Sequence, residues 1–256
     1  MSQTIPPRVA IEYPSGDGKP LAENDLQLHA IHYAFGALGL YYAARSDVYV
    51  SADLLIYYEE GNPRVSVAPD TFVVFGVEDR MRMNYKVWEE GKGPDFVLEV
   101  ASPGTWREDV ERKPAIYAGL GVREYFLYDP TGEHLTPVLQ GYRLVDGGYH
   151  RQSAVESIDR TLRLSSEALG LELRAKVGGE MRFHDPATGE DLLSHAEEHA
   201  ERREEASTRL AAEFRAEREA AAHRAAMARA EAAEARAKTA EARVAELESR
   251  LGGTAR

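Results

Sequence analysis

Apolar residues recur along this chain in two rhythms. Between Ala22 and Ala44 they fall every three or four positions, at Leu28, Ile31, Phe35, Leu38 and Tyr42, which predicts a helix. Asn24 or Asp25 is placed to cap its start. Beyond it come short runs rich in Val, Ile, Phe and Tyr, closed by Gly, Pro, Asn or Asp. These are residues 48–60, 68–77, 94–100, 124–130 and 142–152, and each predicts a strand. A helix from about Trp106 to Gly119 is expected between the third and fourth runs, ended by Gly119 or Gly121. Asp146-Gly147-Gly148 has the composition of a hairpin turn. LGLELR and MRFHDP, between residues 160 and 190, suggest further small strands around Gly and Pro turns.

From the order of these elements, the first three strands form a meander, and the helix before EYFLYDP crosses over to a parallel partner. The fold class expected is α/β, a mixed central sheet flanked by helices.

Near His195 the pattern changes. Ala, Glu and Arg dominate, with no Gly or Pro until Gly252, which predicts one long helix. Val244, Leu247 and Leu251 fit an a/d seam that Ala226, Ala230, Ala233, Ala237 and Ala240 extend upstream, whereas Glu219 and His223 break it and Leu210 and Phe214 favour another register. The two readings are a solvated helix held by i,i+4 charge pairs and a self-associating coiled coil; a lone helix of this length has nothing else to bury. The expected organisation is an N-terminal arm at 1–20 with four prolines, a globular body at 21–192, and the helix at 193–256.

Charge sharpens the picture. The net charge is -12, and from Leu193 onward 13 Asp and Glu nearly balance 12 Lys and Arg, so the excess of acid lies in the body. An acidic body argues against non-specific binding to a phosphate backbone. The absence of cysteine excludes disulfides and thiolate metal sites. No apolar run approaches the roughly 18 residues needed to span a bilayer, and the first residues lack a basic start followed by an apolar core. A soluble cytoplasmic protein without membrane contact is expected. The eight histidines lack HxH or HExxH spacing, and neither nucleotide-binding glycine motif occurs.

One residue conflicts with its surroundings. Glu99 sits inside the apolar run FVLEV, where an ionised carboxylate is costly unless paired. If the strand beginning after Asp70 lies beside it, the two carboxylates face each other across about 5 Å of sheet. Such a pair needs a shared proton or a cation, and oxygen ligands suit magnesium or manganese. Asp95 shares the strand with Glu99 but lies roughly 13 Å along it, too far to share an ion, and is expected to cap the start of the strand. Lys113 and Tyr117 are four apart on the following helix and share a face. Each residue taken alone has an ordinary reading: Lys113 as a surface lysine, Glu99 as the partner of Arg107, Arg112 or Arg123. Trp88 and Trp106 flank the strand of Glu99 and are expected to pack in the core rather than stack on bases.

In combination, "APDTFVVF … PDFVLEVASPGT … REDVERKPAIYAGLGVREYFLYDP" resembles the Uma-type family of restriction-endonuclease-like proteins, within the PD-(D/E)XK nuclease superfamily, over roughly residues 20–150. The resemblance implies a mixed four-stranded sheet flanked by helices. It implies that Asp70 is the Asp of the PD signature and Glu99 the acid of the (D/E)XK signature, together holding magnesium or manganese. The lysine of that signature would fall at Ala101, so the resemblance points to Lys113 as the replacement amine. An acid or amide from the first helix often joins such sites, and Glu23 and Gln27 both qualify. The function expected is a metal-dependent endonuclease hydrolysing DNA phosphodiesters, dimerised by the C-terminal helix. The rival expectation is a non-catalytic scaffold on the same fold that self-associates or binds a partner through its coiled coil, a reading favoured by the acidic body and Ala101.

Overall fold

The computed structural model describes residues 11–252 except Asp17 and Lys19; for 247 and 249–252 it describes the backbone alone. In chain order the elements are α1 (Asp25–Tyr42), β1 (Val48–Ser51), β2 (Ile56–Tyr57), β3 (Ser66–Val67), β4 (Thr71–Phe75), β5 (Tyr85–Lys86), α2 (Val87–Glu90) and β6 (Phe96–Val100). They continue with α3 (Trp106–Glu111), α4 (Lys113–Gly119), β7 (Glu124–Tyr128), β8 (Leu139–Val145) and β9 (Gly148–Arg151). The last are β10 (Val155–Glu156), β11 (Leu162–Ser166), β12 (Leu171–Ala175), β13 (Arg182–Asp185), β14 (Glu190–Asp191) and α5 (His195–Gly252).

Six strands form the main sheet in the order β1-β4-β6-β7-β8-β9. Each neighbouring pair is antiparallel except β6 and β7, whose parallel pairing is made by the α3–α4 crossover. This is the mixed α/β sheet expected from the element order. The central strands β6 and β7 are buried along their whole length, as their unbroken apolar sequences require.

Each face of the sheet has its own core. On one side α1 packs with the five-stranded sheet β10-β11-β12-β13-β14, joining Ile31, Leu38, Phe96, Phe126, Leu173 and Phe183. On the other side Tyr117 and Ile116 of α4 and the small sheet β3-β2-β5 cover Phe72, Val97 and Tyr125.

The elements depart from expectation in four places. Residues 48–60 divide into β1 and β2, which belong to different sheets; Asp53, with φ of +48°, lies in the bend between them. The helix at 106–119 divides at Arg112 because Pro114 has no N–H to continue the ladder. Gly121, at φ of +73°, follows its end. The buried stripe of α1 runs through Ala30, Ala34 and Ala37, whose small side chains allow close approach to the sheet, while Phe35 is 43% exposed. Part of the N-terminal arm is docked: the Tyr13 ring meets Tyr57 and Trp88, and the Pro14 carbonyl accepts the Tyr57 hydroxyl. Residues 1–10, 17 and 19 of that arm lie outside the described residues. As expected, Asn24 caps α1 by accepting the Gln27 N–H, and Asp146-Gly147 turns the β8–β9 hairpin with positive φ at both residues.

Contacts divide the chain into two units, residues 1–196 and 197–256. Its residues 197–252 are continuous helix within α5, Glu197 and Glu198 are half-buried, and the described side chains from His199 onward are exposed. Of the proposed seam, the side chains of Leu247 and Leu251 lie outside the described residues. No helix among the described residues is long and apolar enough to cross a membrane.

Candidate active site

Asp70 directly precedes β4, and the ladder places Thr71 opposite Leu98. One step further along the same ladder, Asp70 meets Glu99. The Asp70 N–H donates to Glu99 Oε2 at 3.3 Å, and the Val100 N–H donates to Asp70 Oδ2 at 2.6 Å. The strand pairing therefore brings the two acids together.

Glu99 is fully buried, on the face of β6 that looks toward α3 and α4. Lys113 begins α4, and its Nζ lies 2.8 Å from Glu99 Oε1. One turn later the Tyr117 hydroxyl donates to the same oxygen. Ala101, on the same face as Glu99, is buried and packs with Tyr117 and Val97. A second acid also meets the ammonium: Asp109 Oδ1, on α3, stands 2.7 Å from Lys113 Nζ.

Two acids thus contact one amine, and Asp70 adds its charge at longer range. Burial first, and then the charge of Glu99, hold the Asp70 carboxyl well above its ordinary range. The same two causes push Asp109 up to about 6. Burial alone would lower the Lys113 ammonium, but the charges of Glu99, Asp109 and Asp70 outweigh it and raise its pKa. Burial and then Glu99 also raise Tyr117, keeping the phenol protonated as a donor.

The site opens into a cleft of about 390 Å³ whose walls include Glu23, Gln27, Asp53, Asp70, Arg112 and Lys113. Gln27 bridges α1 to β6: its Nε2 donates to the Val100 carbonyl at 3.1 Å and its Oε1 accepts the Glu23 N–H at 2.8 Å. The Glu23 carboxylate turns toward the loop before α3 and accepts the Gly104 N–H at 3.0 Å. Both candidates therefore border the cleft, Glu23 from just before α1 and Gln27 from within it, and Gln27 is the one bonded to the strand of Glu99.

Other sequence candidates lie apart from it. Asp95 accepts the Phe75 N–H at 2.8 Å and pairs with Lys92 at 2.6 Å and Arg123 at 3.4 Å, at the opposite end of β6 from Glu99. Trp88 packs on Tyr13, and Trp106 is partly buried, stacked on His134 with the Arg107 guanidinium over its ring. Asp109 was missed in the sequence; its signal is the i,i+4,i+8 series Asp109, Lys113, Tyr117 on the expected helix.

The family model for Uma2, described as "Putative restriction endonuclease", matches residues 3–176. This chain belongs to the Uma2 family. The match takes in α1, the main sheet, the α3–α4 crossover and every residue of the site just described. A search of curated proteins found no match to this Uma2 chain. Among solved structures, it is similar to "a putative nuclease belonging to DUF820 from Anabaena variabilis ATCC 29413", at 13% identity and a TM-score of 0.39, over 53% of this chain and 74% of that one.

The donor set of this Uma2 chain suits a hard cation. Asp70 and Glu99 offer carboxylate oxygens, and the acids near Lys113 outnumber its single ammonium. Among the described residues no three His, Asp or Glu side chains gather into a ready-made metal cluster. Water or substrate oxygen would have to complete the coordination, as is usual for magnesium.

Proposed function

We propose that this protein is a magnesium- or manganese-dependent endonuclease that hydrolyses DNA phosphodiester bonds. The observation that carries the reading is the pairing of Asp70 with Glu99 at a cleft wall, with Lys113 Nζ 2.8 Å from Glu99. Asp70 and Glu99 would hold the cation, which supplies charge neutralisation at phosphorus and a more acidic bound water. The Val100 N–H fixes the Asp70 carboxylate, and the Tyr117 hydroxyl and Lys113 fix that of Glu99. Lys113 carries a permanent positive charge into a site that must stabilise developing negative charge on a phosphoryl oxygen. The cleft repels a phosphodiester until a cation is held there, so metal and substrate binding are coupled. The C-terminal helix would pair with a second copy, setting two sites side by side on a cytoplasmic dimer that can cut both strands.

A second reading is a scaffold that retains the nuclease fold and works through its C-terminal helix. It is favoured by the engagement of Lys113 with two acids at once and by the net charge of -12. Cleavage of supercoiled, linear and single-stranded DNA with magnesium or manganese, with Glu99→Ala as control, separates the two. Metal-dependent cleavage lost in the variant supports the enzyme; no cleavage by the wild type under any of these conditions supports the scaffold.

A further inference from the structure

Asp109 has no part in the nuclease reading, yet it is 1% exposed and its carboxylate points at Lys113 rather than into the cleft. A buried carboxylate is costly unless paired, so its placement is specific. It is held on two sides. Its Oδ1 meets Lys113 Nζ at 2.7 Å, and its backbone carbonyl accepts the Tyr125 hydroxyl at 2.7 Å. Tyr125 belongs to β7, the parallel neighbour of the strand that carries Glu99. The end of α3 is thereby fastened to the main sheet beneath the site.

The two acids flanking the ammonium are nearly equidistant, Glu99 at 2.8 Å and Asp109 at 2.7 Å. We infer that Asp109 is a positioning residue: it shares the Lys113 ammonium with Glu99 and so sets how strongly that ammonium competes with a cation for the Glu99 carboxylate. The inference rests on the metal-dependent reading of the site. An ammonium with one partner sits wholly on that partner and opposes any cation that approaches it. With a second buried carboxylate of equal reach, it stays charged and fixed when Glu99 turns to a cation. Arg112 separates α3 from α4, and the four-residue spacing from Asp109 to Lys113 spans it.

Magnesium titration calorimetry on the full chain tests this with wild type, Asp109→Asn, Lys113→Met and the double variant. Asp109→Asn should weaken magnesium binding about tenfold, in the range of couplings between contacting residues. Lys113→Met should bind at least as well as wild type, and the double variant should match Lys113→Met within about twofold. Asp109→Glu, which keeps the charge, should recover part of the loss. Asp109→Asn binding like wild type, or weakening binding equally with and without Lys113, overturns the inference alone. A wild type that binds neither magnesium nor manganese overturns it together with the reading beneath it. Metal binding that follows the expected cycle without DNA cleavage leaves the inference standing and removes the nuclease. Melting of the same four proteins without metal adds a readout free of activity. Non-additive losses are expected from a direct pair, and additive losses overturn the inference.

Discussion

Glu99 accepts the backbone N–H of Asp70 at 3.3 Å, and Val100 returns the connection by donating its own N–H to the Asp70 carboxylate at 2.6 Å. The two acids are thus registered by the β4–β6 ladder rather than by loops. A site built on paired strands holds its geometry more tightly than one built on loop tips.

That register separates Asp70 from Asp95. Asp70→Asn and Glu99→Gln should each lose most of the magnesium affinity measured by calorimetry. Asp95→Asn should keep it, because Asp95 is committed to Lys92, Arg123 and the Phe75 N–H at the far end of β6. It should instead lower stability by about 1–3 kcal/mol, the cost of weakening charge-assisted bonds to a buried carboxylate, seen as a shift in denaturant midpoint. Loss of metal binding in Asp95→Asn with retention in Asp70→Asn would mean that the site lies at the other end of the strand.

Lys113→Ala should cut DNA cleavage by roughly a hundredfold or more, as loss of one electrostatic group in an active site does. Magnesium affinity should stay intact or rise slightly, since the ammonium 2.8 Å from Glu99 opposes a cation. Single-turnover cleavage beside calorimetry checks both. Cleavage at the wild-type rate, with Glu99→Ala inactive, would show that the replacement amine is elsewhere.

Stability should fall as pH rises through the range set by Asp109. Its carboxyl is raised from 3.8 to about 6 by burial and by Glu99. Below pH 3.8 both folded and unfolded chains hold this proton. Between 3.8 and about 6 the folded chain binds more protons than the unfolded one, so the slope of stability against pH is negative there. Thermal melts of the metal-free protein across this window should show the decline, on top of the opposite contributions of surface acids. Asp109→Asn should reduce it. A slope unchanged in Asp109→Asn would assign the effect to other groups.

Removal of residues 197–256 should leave a single cooperative melting transition, because both cores lie within residues 1–196. Light scattering should report a lower oligomeric state than that of the full chain. An unchanged state would transfer self-association to the body and remove the paired-helix arrangement proposed above.

Much of this site was legible in the sequence because its signals are local. An acid inside FVLEV announces a buried charge, and Pro69-Asp70 before TFVVF places a second acid at a strand start. The four-residue step from Lys113 to Tyr117 puts an amine and a phenol on one helix face. Strand period and helix period are properties of neighbouring residues, so the mixed sheet and its parallel crossover followed from element order alone.

Partnership between buried polar groups followed from long-range packing. Gln27 reaches the Val100 carbonyl across 73 residues of sequence, and only the approach of α1 to β6, allowed by Ala30, Ala34 and Ala37, brings them together. Asp109 shares a helix face with Lys113 and Tyr117, a local signal, but its burial beside them, in contrast to half-buried Glu108 and exposed Glu111, depends on how α3 packs on the sheet. Residue pattern along the chain dictates which side chains leave water, because burial follows from periodicity. Which opposite charge each one finds there depends on elements distant in sequence, and the tertiary structure alone decided it.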